Sequence, residues 1–224
     1  MNVGSLFTHH AQYRRDHLAV VFEDQRLTYC EYNQQINRTA NALLDLGIQK
    51  GDKVATLLPN CLELLEVFWA VAKIGAIVVP MSTLLLESAL VSLLNDSDTV
   101  AVIVDKSFTD IIKSIKDRLP NIPENRYLTI AVDIIPGFQN YHALQSDANV
   151  LEPSAETVEA DDVFNIMYSS GTTGLPKGIV HTHQIRLAYG TSFAASFRIN
   201  PESVVMHAGA IIFNGAFIDL MPTV

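Results

Sequence analysis

The sequence predicts an α/β protein with mostly parallel, open sheets flanked by helices. Short apolar runs typical of buried strands alternate with amphipathic segments, and the links between them are short. Two strands joined through a helix pair in parallel with a right-handed crossover, so this alternation indicates a parallel sheet. The 224 residues are 49% hydrophobic and 17% charged, which is enough apolar material for a large core without disulfide bonds.

The first predicted elements are a small hairpin and a capped helix. Two apolar runs flank residues 23–25, which suits a hairpin over residues 19–28. Thr28 and Glu31 have the spacing of a capping box, so a helix is expected to begin there. Gly47 is its natural end, because glycine adopts the left-handed conformation that closes helices.

Beyond Gly47, strands and helices alternate. Strands are predicted at residues 54–58, 76–80, 100–104 and 127–132, and helices at residues 59–74, 87–94 and 108–119. Residues 133–162 contain proline, glycine and several acidic residues, and we interpret them as a connection between subdomains. The prediction is therefore a first α/β subdomain at residues 1–155 and the start of a second, incomplete one at residues 156–224.

Composition excludes some classes of function. The net charge of −9 argues against binding to nucleic acids, which requires clustered lysine and arginine. Cys30 and Cys61 are too few for a disulfide framework and are predicted to be reduced structural thiols. The N-terminus lacks a basic and apolar leader, and charges interrupt the apolar residues 62–81, so we expect no membrane span and a cytoplasmic location.

A loop rich in hydrogen-bond donors follows a predicted strand at residues 163–168. Its candidate ATP- and phosphate-binding residues are Ser169, Ser170, Gly171, Thr172, Thr173, Gly174 and Lys177. Glycines let backbone N–H groups approach an anion, and the hydroxyls and the ammonium add donors. We interpret the loop as a polyphosphate cradle. It is not a Walker A loop, because Leu175 and Pro176 separate the second glycine from the lysine and a strand is predicted next.

Residues 168–178, Tyr-Ser-Ser-Gly-Thr-Thr-Gly-Leu-Pro-Lys-Gly, resemble the phosphate-binding signature of the acyl-adenylate-forming superfamily. This superfamily comprises AMP-dependent acyl-CoA synthetases, peptide-synthetase adenylation domains and luciferases. Further similar segments lie at residues 27–29, 40–47, 51–54, 73–80 and 181–183. The resemblance covers nearly the whole chain, which corresponds to the N-terminal portion of the large adenylating domain.

The resemblance implies a two-step reaction. A carboxylate attacks Mg-ATP to give an acyl-adenylate and pyrophosphate, and a thiol, usually that of coenzyme A, then accepts the acyl group. It implies that residues 169–174 and Lys177 hold the β- and γ-phosphates. The cofactors and substrates would be ATP, Mg²⁺ carried by ATP, coenzyme A and a small carboxylic acid.

Other motifs of the superfamily are absent from this sequence, namely Tyr-Gly-x-Thr-Glu, Thr-Gly-Asp and a C-terminal domain with its lysine. Residues 189–192, Tyr-Gly-Thr-Ser, come too soon after the loop and lack the glutamate. We therefore expect no complete catalytic set and no metal site. The chain is interpreted as the ATP-phosphate-binding fragment of an acid–thiol ligase, inactive without a C-terminal part. A homo-oligomer is left open.

The candidate substrate pocket is Phe213, Asn214 and Gly215, where many relatives carry Pro-x-x-His. Asn214 has two interpretations, as a donor to a carboxylate or as a helix cap. The apolar residues 204–224 are expected to form a strand, a helix and the next strand, with His207 on a strand. His181 and His183 are not expected to bind a metal.

Three questions stay open at this point. Tyr168 either lines the site or packs beneath it. The chain is either part of an acid–CoA ligase, a non-catalytic nucleotide-binding module or truncated remnant, or part of a peptide-synthetase adenylation domain. The acid itself is not predicted.

Overall fold

A computed structural model describes residues 2–169 and 176–224. Its helices are α1 (Gly4–Tyr13), α2 (Tyr29–Asp45), α3 (Leu62–Ile74), α4 (Glu87–Asp96), α5 (Thr109–Ile115), α6 (Tyr141–Asp147), α7 (His183–Phe197) and α8 (Ala216–Leu220). Its strands are β1 (Leu18–Phe22), β2 (Gln25–Thr28), β3 (Lys53–Leu57), β4 (Ile77–Pro80), β5 (Thr99–Val104), β6 (Tyr127–Thr129), β7 (Gln139–Asn140), β8 (Val163–Ser169) and β9 (Lys177–Thr182).

The predicted α/β class is confirmed. Within the described ranges, seven strands form one sheet in the order β7-β6-β5-β3-β4-β8-β9, and β1 and β2 form a separate antiparallel hairpin. The sheet is parallel except at its edge, where β9 runs antiparallel to β8. Strand β8 joins the sheet through β4, with Val78 opposite Asn165. The division of the chain at residues 155 and 156 stays a prediction.

The sheet separates two hydrophobic cores, as the alternation of its side chains requires. On β3, Val54 belongs to the core under α1, α2 and α3, whereas the next residue, Ala55, belongs to the core under α4 and α5. Phe68 and Trp69 of α3 are buried in the first of these cores. In the part of the chain that the structure describes, no helix has the length and apolar character needed to cross a membrane.

Local signals in the sequence set the ends of the first helices. The Thr28 hydroxyl accepts the Glu31 N–H at 3.3 Å, and the Glu31 carboxylate accepts the Thr28 N–H at 2.9 Å, so the capping box is confirmed. Gly47 follows α2 with φ +79°. Helix α3 begins after Cys61, three residues later than predicted. Cys30 and Cys61 are both free thiols.

The prediction for residues 133–162 was incomplete, because this segment contains β7 and α6. The Asn140 side chain caps α6, and Tyr141 is buried against α2 and α3. The Tyr141 hydroxyl donates to the Glu66 carboxylate at 2.8 Å. This tertiary contact stabilises a helix of seven residues, which is too short to be stable by itself.

The prediction for the last 21 residues was partly wrong. No strand lies in residues 204–224, all of which are described, and His207 is in an irregular segment with its Nδ1 2.9 Å from Asp219 Oδ2. The helix expected in this segment is present as α8, and its Phe217 stacks on Phe68 with ring centres 5.8 Å apart. The apolar residues of this segment are thus divided between the first core and the surface, where Val204 is 94% exposed.

Candidate functional site

The predicted phosphate loop is the stretch of sequence between β8 and β9, which pair as a hairpin whose described tip is Ser169 and Lys177. Ser169 and Lys177 face each other as the last paired residues of the two strands. Because β8 is parallel to β4, this tip is at the carboxyl edge of the sheet, where ligands bind in open α/β folds. The predicted residues Ser170, Gly171, Thr172, Thr173 and Gly174 lie outside the described residues. Lys177 is exposed.

Tyr168 anchors the hairpin to α4 next to this tip. Its hydroxyl donates to Asp96 Oδ2 at 2.6 Å and approaches the Leu93 carbonyl at 3.3 Å. Its ring covers Gly178, where an added Cβ would lie 3.3 Å from a ring carbon. Burial, followed by the Asp96 carboxylate, raises the pKa of Tyr168, which therefore stays a neutral donor. The ring thus packs against β9 while its hydroxyl is bonded to α4.

The other end of the hairpin is tied to the N-terminal segment through His183. The side chain of Thr182 accepts the Ile185 N–H and caps α7, so His183 is the first residue of the helix. His183 is fully buried, and its Nδ1 accepts the Val3 N–H at 3.1 Å. Burial lowers the pKa of His183 to about 4, so the ring is neutral at pH 7. Among the described residues, no three His, Cys, Asp or Glu side chains form a metal-binding group.

Arg186 is the residue that the sequence analysis missed. Its side chain has no exposed surface, and its guanidinium lies 3.8 Å from the centre of the Phe217 ring. Nε donates to Asn165 Oδ1 at 2.9 Å, and Nη1 donates to Asn214 Oδ1 at 2.7 Å. Burial lowers the pKa of Arg186 to about 10, which still leaves it charged at pH 7. No signal in the sequence marks it, because an arginine on a helix is ordinarily solvated.

Arg186 therefore connects the strand that carries the phosphate loop with the predicted substrate pocket. Of the predicted pocket residues, Phe213 is 54% exposed, Asn214 is half-buried and Gly215 is exposed. The interpretation of Asn214 as a helix cap is wrong. Gly215 holds the cap position of α8, and the Asn214 amide is instead bonded to Arg186, with Nδ2 3.4 Å from the Tyr189 hydroxyl.

A crevice of about 290 Å³ opens nearby at the carboxyl end of β3. Its lining includes Pro59, Asn60 and Thr83 on one side and Gly209 and Ile212 on the other. The Asn60 side chain holds the two sides together, because it donates to the Gly209 carbonyl at 2.7 Å and accepts the backbone N–H of residue 211 at 3.0 Å. The crevice therefore lies at the same edge of the sheet as Ser169 and Lys177.

Known proteins are similar to this chain in sequence and in fold. The long-chain-fatty-acid–CoA ligase FadD13 of Mycobacterium tuberculosis is 36% identical over 176 residues, which are 79% of this chain and 33% of that protein. A crotonobetaine/carnitine–CoA ligase of Escherichia coli is 35% identical over 161 residues, 70% of this chain and 31% of that protein. The chain spans about a third of the length of these curated relatives.

Among solved structures, an inhibitor-bound N-terminal domain of FACL13 from Mycobacterium tuberculosis superposes with a TM-score of 0.87 at 29% identity. The superposition covers 99% of this chain and 55% of that one. The sequence profile described as AMP-binding enzyme matches residues 7–224. The chain therefore belongs to the family of AMP-binding enzymes.

Proposed function

We propose that this chain is the N-terminal, ATP-phosphate-binding portion of an AMP-forming acid–CoA ligase. In the first step, a carboxylate oxygen of the acid bonds to the α-phosphorus of Mg-ATP, and the bond to pyrophosphate breaks. In the second, the thiol of coenzyme A attacks the acyl carbon of the adenylate and AMP leaves. Membership of the AMP-binding enzyme family supports this proposal, as do the relatives named as CoA ligases.

The observation that carries the proposal is the hairpin whose tip faces the carboxyl edge of the parallel sheet. Attack of one anion on another is opposed by charge, so the enzyme must neutralise and position the phosphates. Lys177 provides a positive charge at the tip, and the Ser169 hydroxyl lies on the strand opposite. We assign the β- and γ-phosphate contacts to these two residues and to Ser170, Gly171, Thr172, Thr173 and Gly174.

We place the acid near Phe213, Asn214 and Gly215, next to the crevice at the end of β3. The two curated relatives are named for chemically different acids, a long-chain fatty acid and carnitine or crotonobetaine. The acid class is therefore best determined with a panel that includes short, long-chain and quaternary-ammonium acids. ATP and coenzyme A as substrates are consistent with the cytoplasm as the proposed location.

Acid-dependent exchange of pyrophosphate into ATP tests the first step. The assay uses the full-length protein that contains this segment, together with Mg²⁺ and the acid panel. We expect exchange with at least one acid, and none when the acid is omitted. A full-length, folded protein that exchanges pyrophosphate with no acid of the panel would refute the proposed activity.

Lys177→Met tests the assignment of the phosphate site. Loss of a charged hydrogen bond of about 1.5–3 kcal/mol predicts a fall in kcat/KM for ATP of roughly 10- to 100-fold. Lys106→Met is the matched control, because Lys106 is exposed and paired only with the exposed Asp133. Equal effects of the two substitutions would contradict the role of Lys177.

A non-catalytic nucleotide-binding module is the second candidate, because Tyr-Gly-x-Thr-Glu and Thr-Gly-Asp do not occur in these 224 residues. Calorimetry on the 224-residue chain with Mg-ATP and with pyrophosphate separates the candidates. Tight, Mg²⁺-dependent binding of ATP without exchange activity in the full-length protein would favour the module. Acid-dependent exchange in the full-length protein would exclude it.

A further inference from the structure

Arg186 is a buried cation that has no carboxylate partner among the described residues. Its hydrogen-bond acceptors are the amide oxygens of Asn165 and Asn214 and, at 3.6 Å, the sulfur of Met167. The buried ammonium of Lys73, in contrast, has a carboxylate of Glu152 at 2.6 Å. A buried charge without a counter-ion is costly unless it is paired when the protein works.

The guanidinium determines which way the Asn214 amide faces. Arginine has donors only, so the atom of Asn214 that lies 2.7 Å from Nη1 must be the oxygen. Nδ2 is thereby fixed on the other side, where its one contact among the described residues is the Tyr189 hydroxyl at the long distance of 3.4 Å. A positive charge on the oxygen also polarises the amide and makes its N–H groups stronger donors.

The second amide bonded to the same guanidinium, that of Asn165, also has N–H donors without a good acceptor. Asn165 is fully buried and gives its oxygen to Arg186, and its Nδ2 has no acceptor among the described residues. Neighbouring His181 does not add a second positive charge, since burial, followed by Arg186, lowers its pKa to about 4. Among the described residues, the acceptors in this cluster are neutral and already bonded to Arg186, and none of them is an anion.

We propose that Arg186 is a positioning residue that fixes Asn214 as the donor to the carboxylate of the acid substrate. The ligand must accept hydrogen bonds and carry negative charge, and a carboxylate does both. Asn214 is the accessible member of the cluster, because it is half-buried beside the exposed Phe213, whereas Asn165 is enclosed. This inference rests on the proposed function, which provides the acid.

Asn214→Asp separates a binding role from a structural one. The aspartate keeps an oxygen next to Arg186 and gives the buried cation its missing counter-ion, so we expect a higher unfolding temperature. The same substitution removes the Nδ2 donor and repels a carboxylate. In pyrophosphate exchange by the full-length protein, KM for the acid should rise at least tenfold, while KM for ATP changes less than twofold.

Arg186→Met tests whether arginine acts through Asn214. Removing the charge frees the amide to rotate, so we expect an increase of several-fold in KM for the acid. In an Asn214→Ala background, the same Arg186→Met change should add no further increase. Arg126→Met is the matched control, since Arg126 also binds neutral acceptors, the Leu46 and Gly47 carbonyls, but far along the chain from this cluster. It should lower stability without changing KM for the acid.

Two results would overturn the inference. One is a KM for the acid within twofold of wild type in Asn214→Asp, a variant expected to fold even if Arg186→Met does not. The other is an Arg186→Met effect that persists undiminished in the Asn214→Ala background. Both require a wild-type protein that exchanges pyrophosphate, so a wild type without exchange would count against the proposed function instead.

Discussion

The carboxyl group of Glu66 is buried between α2, α3 and α6, and it gives a quantitative test of the structure. The residue is 4% exposed, and one of its oxygens accepts hydrogen bonds from the Tyr141 hydroxyl and the Gln145 amide, each at 2.8 Å. Burial, opposed in part by these two bonds, raises the pKa of Glu66 from 4.5 to about 7. We predict that Glu66→Gln stabilises the chain at high pH and not at low pH.

The magnitude follows from proton linkage. The folded chain retains the proton of Glu66 over the interval from pH 4.5 to about 7, in which the unfolded chain loses it. A raised carboxyl pKa therefore lowers the free energy of unfolding as the pH rises through this interval, by roughly 3 kcal/mol in total. About 2.5 kcal/mol of this loss falls between pH 5 and pH 8. Glutamine keeps an oxygen for Tyr141 and Gln145 and carries no charge, so the free energy of unfolding of the variant does not fall in this way as the pH rises.

Urea denaturation of both proteins at pH 5 and pH 8, followed by circular dichroism, measures the effect. At pH 5 we expect the two free energies of unfolding to agree within about 1 kcal/mol. At pH 8 the difference should have moved by about 2.5 kcal/mol in favour of Glu66→Gln. Glu156→Gln, at an exposed position, is the control and should show no such change. A difference between variant and wild type that is the same at both pH values would refute the reasoning.

Two further predictions concern His183 and Glu152. Burial lowers the pKa of His183 to about 4 from 6.5, so the unfolded chain takes up a proton first as the pH falls. From pH 7 to pH 5 the free energy of unfolding of the wild type should fall by about 2 kcal/mol more than that of His183→Gln. Equal falls for the two proteins in urea denaturation would contradict this. Glu152→Gln removes the carboxylate that pairs with the Lys73 ammonium, and the Lys73 side chain is only 4% exposed. We expect the free energy of unfolding to fall by about 3 kcal/mol, which is the low end for a broken buried pair because Glu152 is half-exposed. A fall of less than about 1 kcal/mol in urea denaturation would contradict the role of the pair.

The elements that could be predicted from the sequence are those with a local cause. Thr28 and Glu31 lie in the same helical turn, so their spacing alone predicts the capping box that the structure contains. Gly75 ends α3 with φ +72°, a conformation in which a side chain would be strained. The apolar runs of β3, β4 and β5 correspond to strands that are buried on both faces.

Elements that depend on distant partners were missed or misassigned. Helix α6 has only seven residues, and Tyr141 at its start finds Glu66 across 75 positions of sequence. The apolar character of residues 204–224 indicated strands on either side of a helix, but no strand forms, and Phe217 stacks on Phe68 and meets Phe164 edge to face. Tertiary packing of this kind overrides local propensity, and periodicity contains no information about it.

The two parts of the candidate site differ in the same way, since one is local in sequence and the other is not. The phosphate loop is a contiguous run, so its glycines, hydroxyls and lysine stand together in the sequence as they would in a site. The Arg186 cluster is assembled from β8, α7 and the segment before α8, with hydrogen bonds across 21 and 28 positions. None of its residues is unusual alone, because an arginine on a helix is ordinarily solvated. Arg186 is distinguished only by being buried with no carboxylate partner among the described residues. Substitutions at Arg186 and Asn214 are therefore expected to raise KM for the acid, whereas those at Lys177 should alter the use of ATP.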